Sequence, residues 1–244
     1  MPVSDMTESE YKLDIDENEH AKRILQRLDS KRRDQKNCDL VVRAEGKEIH
    51  VNRDVMCAAS DYFDAMFSHD MKENQERFVD MKGARFSTVE KCINFIYTGK
   101  ISVSMDECEE LLYSATLMQL NEVCDMIPPF LESRLSVNSF FGIRRIAVKF
   151  SFKDLNTVCN EFALGQLFQL RTEEVFNDLD VEYVSFLLTS KKLWDERDED
   201  RKMEIVLKWI KSDPSNCEKC FLKMTKSVNV SKLTTGCIKF LLKN

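Results

Sequence analysis

The chain has 244 residues, 43% of them hydrophobic and 32% charged, enough for one large or two ordinary domains with buried cores. Lys and Arg number 36 against 42 Asp and Glu, and the net charge of −6 repels a phosphate backbone, which sets nucleic acid aside as a partner. Six glycines and four prolines exclude long irregular or low-complexity segments, and no stretch nears the roughly 18 consecutive apolar residues of a membrane span.

Taken in order, residues 1–17 mix acids with Ser and Thr without an apolar period and are expected to form a flexible tail. This acidic stretch has no apolar leader, so the nine cysteines are expected as reduced thiols and the compartment as the cytoplasm, with the nucleus as a second location. Over residues 20–33, Ala21, Ile24, Leu25 and Leu28 form one narrow stripe on a charged helix, and so thin a stripe must pack on something else. The basic run 31–33, beside Asp29 and Asp34, reads as the polar end of that helix. CDLVVRAEGKEIHV alternates on both sides of Glu45-Gly46 and predicts a β-hairpin, with glycine supplying the positive φ of a tight turn. Asp39 at its opening has two readings, exposed at the strand entrance or paired with a cation.

Residues 53–67 place Val55, Met56, Ala59, Phe63, Met66 and Phe67 at helical spacings, with Ser60-Asp61 able to end one short helix and cap the next. A third strand is expected at 77–81. Ser87-Thr88-Val89-Glu90 has capping-box spacing ahead of the stripe Val89, Cys92, Ile93, Ile96 and Tyr97, which Thr98-Gly99 ends. Helices are predicted at 105–118 and 121–135; Pro128 and Pro129 require the second to kink or begin afresh. Beyond Ser136 the strand signals fade, with helices expected at 138–150, 153–170, 181–191, 199–212, 218–226 and 234–242, so a domain boundary is placed near residue 136.

CDLVV, the 53–67 run with its AASDYFDAMF, and FIYTGKI resemble the signature stretches of the BTB (POZ) domain, in the same order and at the family's separations. VNSFFGIRRIAVKFSFKDL, LLTSKKL and the helix bearing Trp209 resemble the BACK domain of Kelch-like proteins. The resemblance covers nearly all of residues 18–244 and implies an α+β BTB/POZ domain at 18–136, helices around a small sheet, followed by an all-α BACK domain at 137–244. The chain as a whole is then predominantly helical. Asn52 stands where the family usually has a histidine, Ile127 where a cysteine is common, and Asn229 where an arginine is often found. No segment resembles the propeller repeats into which Kelch-like proteins continue.

The resemblance implies an interaction protein, not an enzyme, and one that forms symmetric dimers. Ile24, Leu25 and Leu28 are the expected seam, with Val55 and Met56 in the same isologous contact; the alternative is that the stripe packs on its own hairpin. The resemblance also implies an adaptor for a cullin-3 ubiquitin ligase. The family's cullin-binding motif, a hydrophobic residue, any residue, then glutamate, corresponds to Met71-Lys72-Glu73, with Tyr62 and Met66 extending the apolar face. Phe140, Phe141, Ile146, Phe150 and Phe152, at the start of the second domain, are dense enough for a groove that holds the cullin's extended terminus and for the core beneath it; the sequence does not separate the two, most are expected as core, and Phe141 is assigned to the cullin contact. The competing expectation is a homo- or heterodimerising BTB scaffold that binds no cullin and competes with Kelch-like adaptors. No cofactor is expected. Cys217-x-x-Cys220 has zinc-ligand spacing but no second pair, and His20, His50 and His69 belong to no nucleophile or metal pattern.

Overall fold

The alternation around Glu45-Gly46 becomes strands β1 (Leu40–Ala44) and β2 (Lys47–Val51). Leu40, Val42 and Ala44 of β1 and Ile49 and Val51 of β2 are buried on one face. The register from Leu40↔Val51 to Ala44↔Lys47 leaves a two-residue turn in which Glu45 (φ 49°) and Gly46 (φ 74°) both take left-handed angles. Turns of this kind match the twist of paired strands. Strand β3 (Phe78–Asp80) joins β1 in parallel, giving a three-stranded sheet of order β2-β1-β3.

The computed structural model describes residues 17–68, 77–195, 198–212 and 224–241. The expected tail up to residue 16, Met71, Glu73, His69, the Cys217-x-x-Cys220 pair and most of the helix expected at 218–226 lie outside the described residues. The chain forms two units, residues 1–127 and 128–244.

In the first unit, helix α1 (Glu17–Arg33) is followed by α2 (Arg53–Ala59), α3 (Asp61–Ser68), α4 (Phe86–Thr98) and α5 (Cys108–Leu117). Asp39 lies exposed at the strand entrance, where its carboxylate accepts the backbone N–H of Arg53 at 2.8 Å and so caps α2. Ser60 separates α2 from α3: it is extended (φ −149°), its hydroxyl donates to the Met118 carbonyl at 2.6 Å, and it accepts the Phe63 N–H at 3.3 Å. Gly99 ends α4 in the left-handed region (φ 64°), returning its N–H to the Phe95 carbonyl at 2.7 Å.

Two expectations fail here. The capping box at Ser87 is not made, because α4 already begins at Phe86; the Phe86 N–H is taken by the Glu45 carboxylate from the hairpin turn at 3.0 Å, and Thr88 bonds the Arg85 carbonyl. Arg32 is not part of a solvated helix end. It is 6% exposed and donates twice to Asp29 Oδ1 (3.1 and 2.7 Å) and once to Asn94 Oδ1 (2.7 Å), with its guanidinium 4.9 Å from the Tyr97 ring centre. This buried pair fastens α1 to α4.

The Tyr97 hydroxyl continues the network. It accepts the Asn52 N–H at 2.8 Å and donates to Asn52 Oδ1 at 3.1 Å, while Asn52 Nδ2 donates to the Asn37 carbonyl at 2.7 Å. Burial pushes the phenol up to about 12, so it remains a donor at physiological pH. Tyr97→Phe leaves the Asn52 N–H without its acceptor and is expected to cost about 1–2 kcal/mol in urea unfolding, with an unchanged m value.

Helix α6 (Asn121–Glu132) runs through Pro128 and Pro129 without starting afresh. The prolines remove two backbone donors. Against that loss, Val123, Ile127 and Leu131, four residues apart, are all buried on one helix face.

The second unit is helical among its described residues: α7 (Phe140–Lys149), α8 (Lys153–Leu170), α9 (Val181–Thr189), α10 (Glu199–Ser212) and α11 (Thr235–Leu241), with 3₁₀ turns at Glu174–Asp178 and Val230–Lys232. Phe140, Ile143, Ile146 and Ala147 of α7 meet a face of α8 that buries Leu155, Cys159, Ala163 and Leu167; the small residues Cys159 and Ala163 let the helices approach closely. Asp180 caps α9 through the Tyr183 N–H (2.7 Å), and the Trp209 indole N–H on α10 donates to the Leu179 carbonyl (3.0 Å). At the start of α10, buried Glu199 pairs with Lys202 (2.9 Å) and accepts the Asn229 N–H (2.6 Å).

Candidate functional site

The stripe on α1 is largely exposed. Leu28 is half-buried, whereas Ile24 is 46% and Leu25 36% exposed, an unusual cost for two large aliphatic side chains side by side. Val55 on α2 is half-buried. Met56 is 0% exposed and belongs to the core of its own chain, so the expectation that it faces a second copy is corrected; of the two apolar residues in the first turn of α2, Val55 is the one that reaches the surface.

Beside this stripe lies an open groove of about 430 Å³. Leu25, Ala58, Ala59, Phe95, Ile96 and Leu120 give it apolar walls, and Asp61 and Glu122 stand at its lining as carboxylates. The sequence reading missed this groove. Its signal is the exposed pair Ala58-Ala59, small residues that close the end of α2 without filling the space beside it.

Helix α3 turns Phe63 and Phe67 inward and leaves Tyr62 and Met66 half-exposed on the outer face, one turn apart. The Tyr62 ring packs edge-on against Phe63 with centroids 5.1 Å apart, which fixes it in place. The segment holding Met71 and Glu73 follows α3 directly in sequence. In the second unit, Phe140 and Ile146 are core as expected, but Phe141, Phe150 and Phe152 are only half-buried. Phe141 packs edge-on against Phe140 at 5.1 Å, and Phe150 stacks on Phe152 at 6.1 Å. Phe141 is thus half-exposed at the start of α7, and the Phe150–Phe152 pair just past its end.

Three cysteines, Cys92, Cys108 and Cys159, are buried among the described residues. Burial pushes Cys92 up to about 12 and Cys108 and Cys159 to about 11, so all three pack as small apolar side chains. His20 shares a contact with Arg23 on the exposed side of α1, and His50 lies half-buried on β2. Among the described residues no group of three or more His, Cys, Asp or Glu is placed to hold a metal ion. No described helix is long and apolar enough to cross a membrane.

The BTB/POZ domain family model matches residues 28–135, and the model for "BTB And C-terminal Kelch", the BACK domain, matches residues 140–243. The chain belongs to the BTB–BACK family of Kelch-like proteins. It is 31% identical to human Kelch-like protein 24 over 191 residues, which is 78% of this chain and 32% of that protein. It is 34% identical to bovine Kelch-like protein 3 over 173 residues, 71% of this chain and 29% of that protein. The chain thus spans about a third of the length of the curated relatives it matches. Among solved structures, the BTB domain of zebrafish PATZ1 aligns with 51% of the chain at 22% identity and a TM-score of 0.46, covering 99% of that chain.

BTB and BACK domains are protein-interaction domains, and the functional reading therefore turns on surfaces. The departure at Asn52 has a structural account in this BTB domain: Asn52 closes the bridge from Tyr97 to Asn37. In the BACK domain, Asn229 caps the 3₁₀ turn Val230–Lys232 through the Ser231 N–H at 3.2 Å.

Proposed function

We propose that this BTB–BACK chain is a dimeric adaptor that docks cullin-3 through the outer face of α3 and the Met71-Lys72-Glu73 segment that follows it. The observation that carries the reading is the half-exposed pair Tyr62 and Met66, immediately ahead of a segment with the hydrophobic-x-glutamate pattern. The Met71 thioether would fill an apolar pocket between partner helices and the Glu73 carboxylate would accept charge-assisted hydrogen bonds. Phe141, half-exposed at the start of α7, supports a further contact with the cullin's extended terminus. The cytoplasm, with the nucleus second, is the proposed compartment.

Calorimetry of the purified chain against the amino-terminal domain of cullin-3, with light scattering for mass, tests the reading. A dimer binding at about −8 kcal/mol per site or better is expected. A dimer that gives no heat signal would instead establish the scaffold reading, a BTB chain that pairs with itself or with other Kelch-like subunits.

The dimer has its own test. Ile24 is 46% exposed, so Ile24→Asp leaves the fold intact while placing a charge in the seam. The dimer dissociation constant is expected to rise about a hundredfold by sedimentation. An Ile24→Asp chain that dimerises as tightly as the parent would move the seam away from α1.

A further inference from the structure

Three elements of the second unit bring two aromatic rings and their cations to one exposed place. Phe168, near the end of α8, is 41% exposed, and half-buried Trp194 from the turn after α9 meets it edge-on with ring centres 5.9 Å apart. The Trp194 indole N–H donates to the Leu187 carbonyl at 2.8 Å, which fixes the ring. Guanidinium groups stand against Phe168 from α8 and from α10, Arg171 at 5.2 Å and Arg201 at 5.7 Å from the ring centre, and the Lys202 ammonium lies 5.7 Å from the centre of the Trp194 ring. Aromatic and arginine side chains held together at a surface are the composition of binding hot spots.

One turn before Phe168, the same exposed face of α8 carries Gly165. A glycine inside a helix lowers its stability relative to alanine. Neither the backbone nor the surroundings call for one here: Gly165 has no left-handed angle, and beyond its own helix backbone a Cβ would meet no described atom within 4 Å. The missing side chain leaves room beside an exposed phenyl ring. The cations decide what fits that room. Arg171 stands 3.8 Å from Glu204, too far for a hydrogen bond, and Arg201 stands 3.3 Å from Asp198 with its own side chain 63% exposed. Exposed pairs of this kind contribute little. A segment that covers the rings strips water from both guanidinium groups, and carboxylates of its own would offset that loss.

We propose that this face binds an acidic segment of a partner protein: an apolar side chain of the segment lies over Gly165 against Phe168 and Trp194, and flanking carboxylates pair with Arg171 and Arg201. The site shares no residue with the cullin or dimer contacts proposed above.

Selection from a random peptide display library on the immobilised chain, run beside the Phe168→Asp chain, tests the proposal. The parent is expected to enrich peptides that set an apolar residue among Asp and Glu, and the variant is not. With a selected peptide carrying fluorescein, polarisation is expected to show at least about a tenfold loss of affinity for Arg171→Glu/Arg201→Glu, and weakening for the parent as salt rises from about 50 to about 500 mM. Gly165→Gln is the discriminating variant. It raises the thermal midpoint, because glutamine is the better helix former, and it weakens the peptide about tenfold by filling the space beside Phe168, whereas a merely structural glycine would leave the affinity where it was. Unchanged midpoints report intact folds for the other variants, whose positions include the exposed Phe168 and Arg201. Parent and Phe168→Asp chains that enrich the same peptides, or none, overturn the site, and so does parent-like affinity for Gly165→Gln. Phe168-dependent peptides that are neutral or basic, or binding that survives the arginine reversal, overturn the acidic partner.

Discussion

Asp29→Ala is expected to lower the stability of the BTB domain by about 3 kcal/mol, among the largest effects of any single polar substitution in the chain. The reason is what it leaves behind. Arg32 has its side chain only 6% exposed and donates two of its hydrogen bonds to Asp29, so removing the carboxylate strands a buried cation with Asn94 as its remaining hydrogen-bond acceptor. Urea unfolding of the first unit's transition measures the loss. The double variant Asp29→Leu/Arg32→Met, which removes both charges and keeps the volume, is expected to recover most of it; failure to recover would mean that the pair stabilises through more than mutual neutralisation. The pH dependence has a definite sign. Burial pulls the Asp29 carboxyl upward, but hydrogen bonds from Arg32 and Arg33 outweigh it and hold the folded value below the ordinary 3.8. The contribution is therefore complete above the unfolded value and is lost as pH falls through the lower folded one, so the gap between parent and variant closes only in strong acid.

Met66→Asp is expected to abolish cullin binding, a loss of about a hundredfold or more, with the dimer mass unchanged. Met66 is half-exposed on α3, so the substitution costs the isolated chain little, but in the proposed complex it would bury a carboxylate where an apolar contact is required. Met71→Ala and Glu73→Ala are expected to weaken binding in the same direction. Calorimetry against the cullin domain reads all three. Parent-like binding by Met66→Asp would detach the cullin from this helix face, whatever the dimer does.

Much of the fold was legible because local signals and packing agree. The 2-residue alternation around Glu45-Gly46, the break at Ser60 and the stop at Gly99 each put their cause within a few residues of their effect. The misreadings involve partners distant in the sequence. Ser87 and Glu90 had the spacing of a capping box, but Glu45, 41 positions before Phe86, reaches the helix end first. Arg32 looked like one of three surface cations, and only the fold brings Asn94 and Tyr97 around it. The prolines of α6 carried a penalty that sequence shows plainly, while the buried face that offsets it shows only in three dimensions. At the candidate site, the exposure of Ile24 and of the α3 face could be anticipated from periodicity, whereas Met56 could not be separated from Val55, since adjacent residues on a helix differ in facing by about 100° and nothing local says which is inward.

The hairpin turn is commonly where a loop insertion or an epitope tag would be placed, being exposed and glycine-containing. In this chain that choice would be a poor one. Glu45 holds a left-handed angle in the turn and also provides the acceptor for the first amide of α4, so extra residues between Glu45 and Gly46 would uncap a helix that carries Tyr97 and Asn94. The connection between α5 and α6 is no better, since Met118 accepts from Ser60.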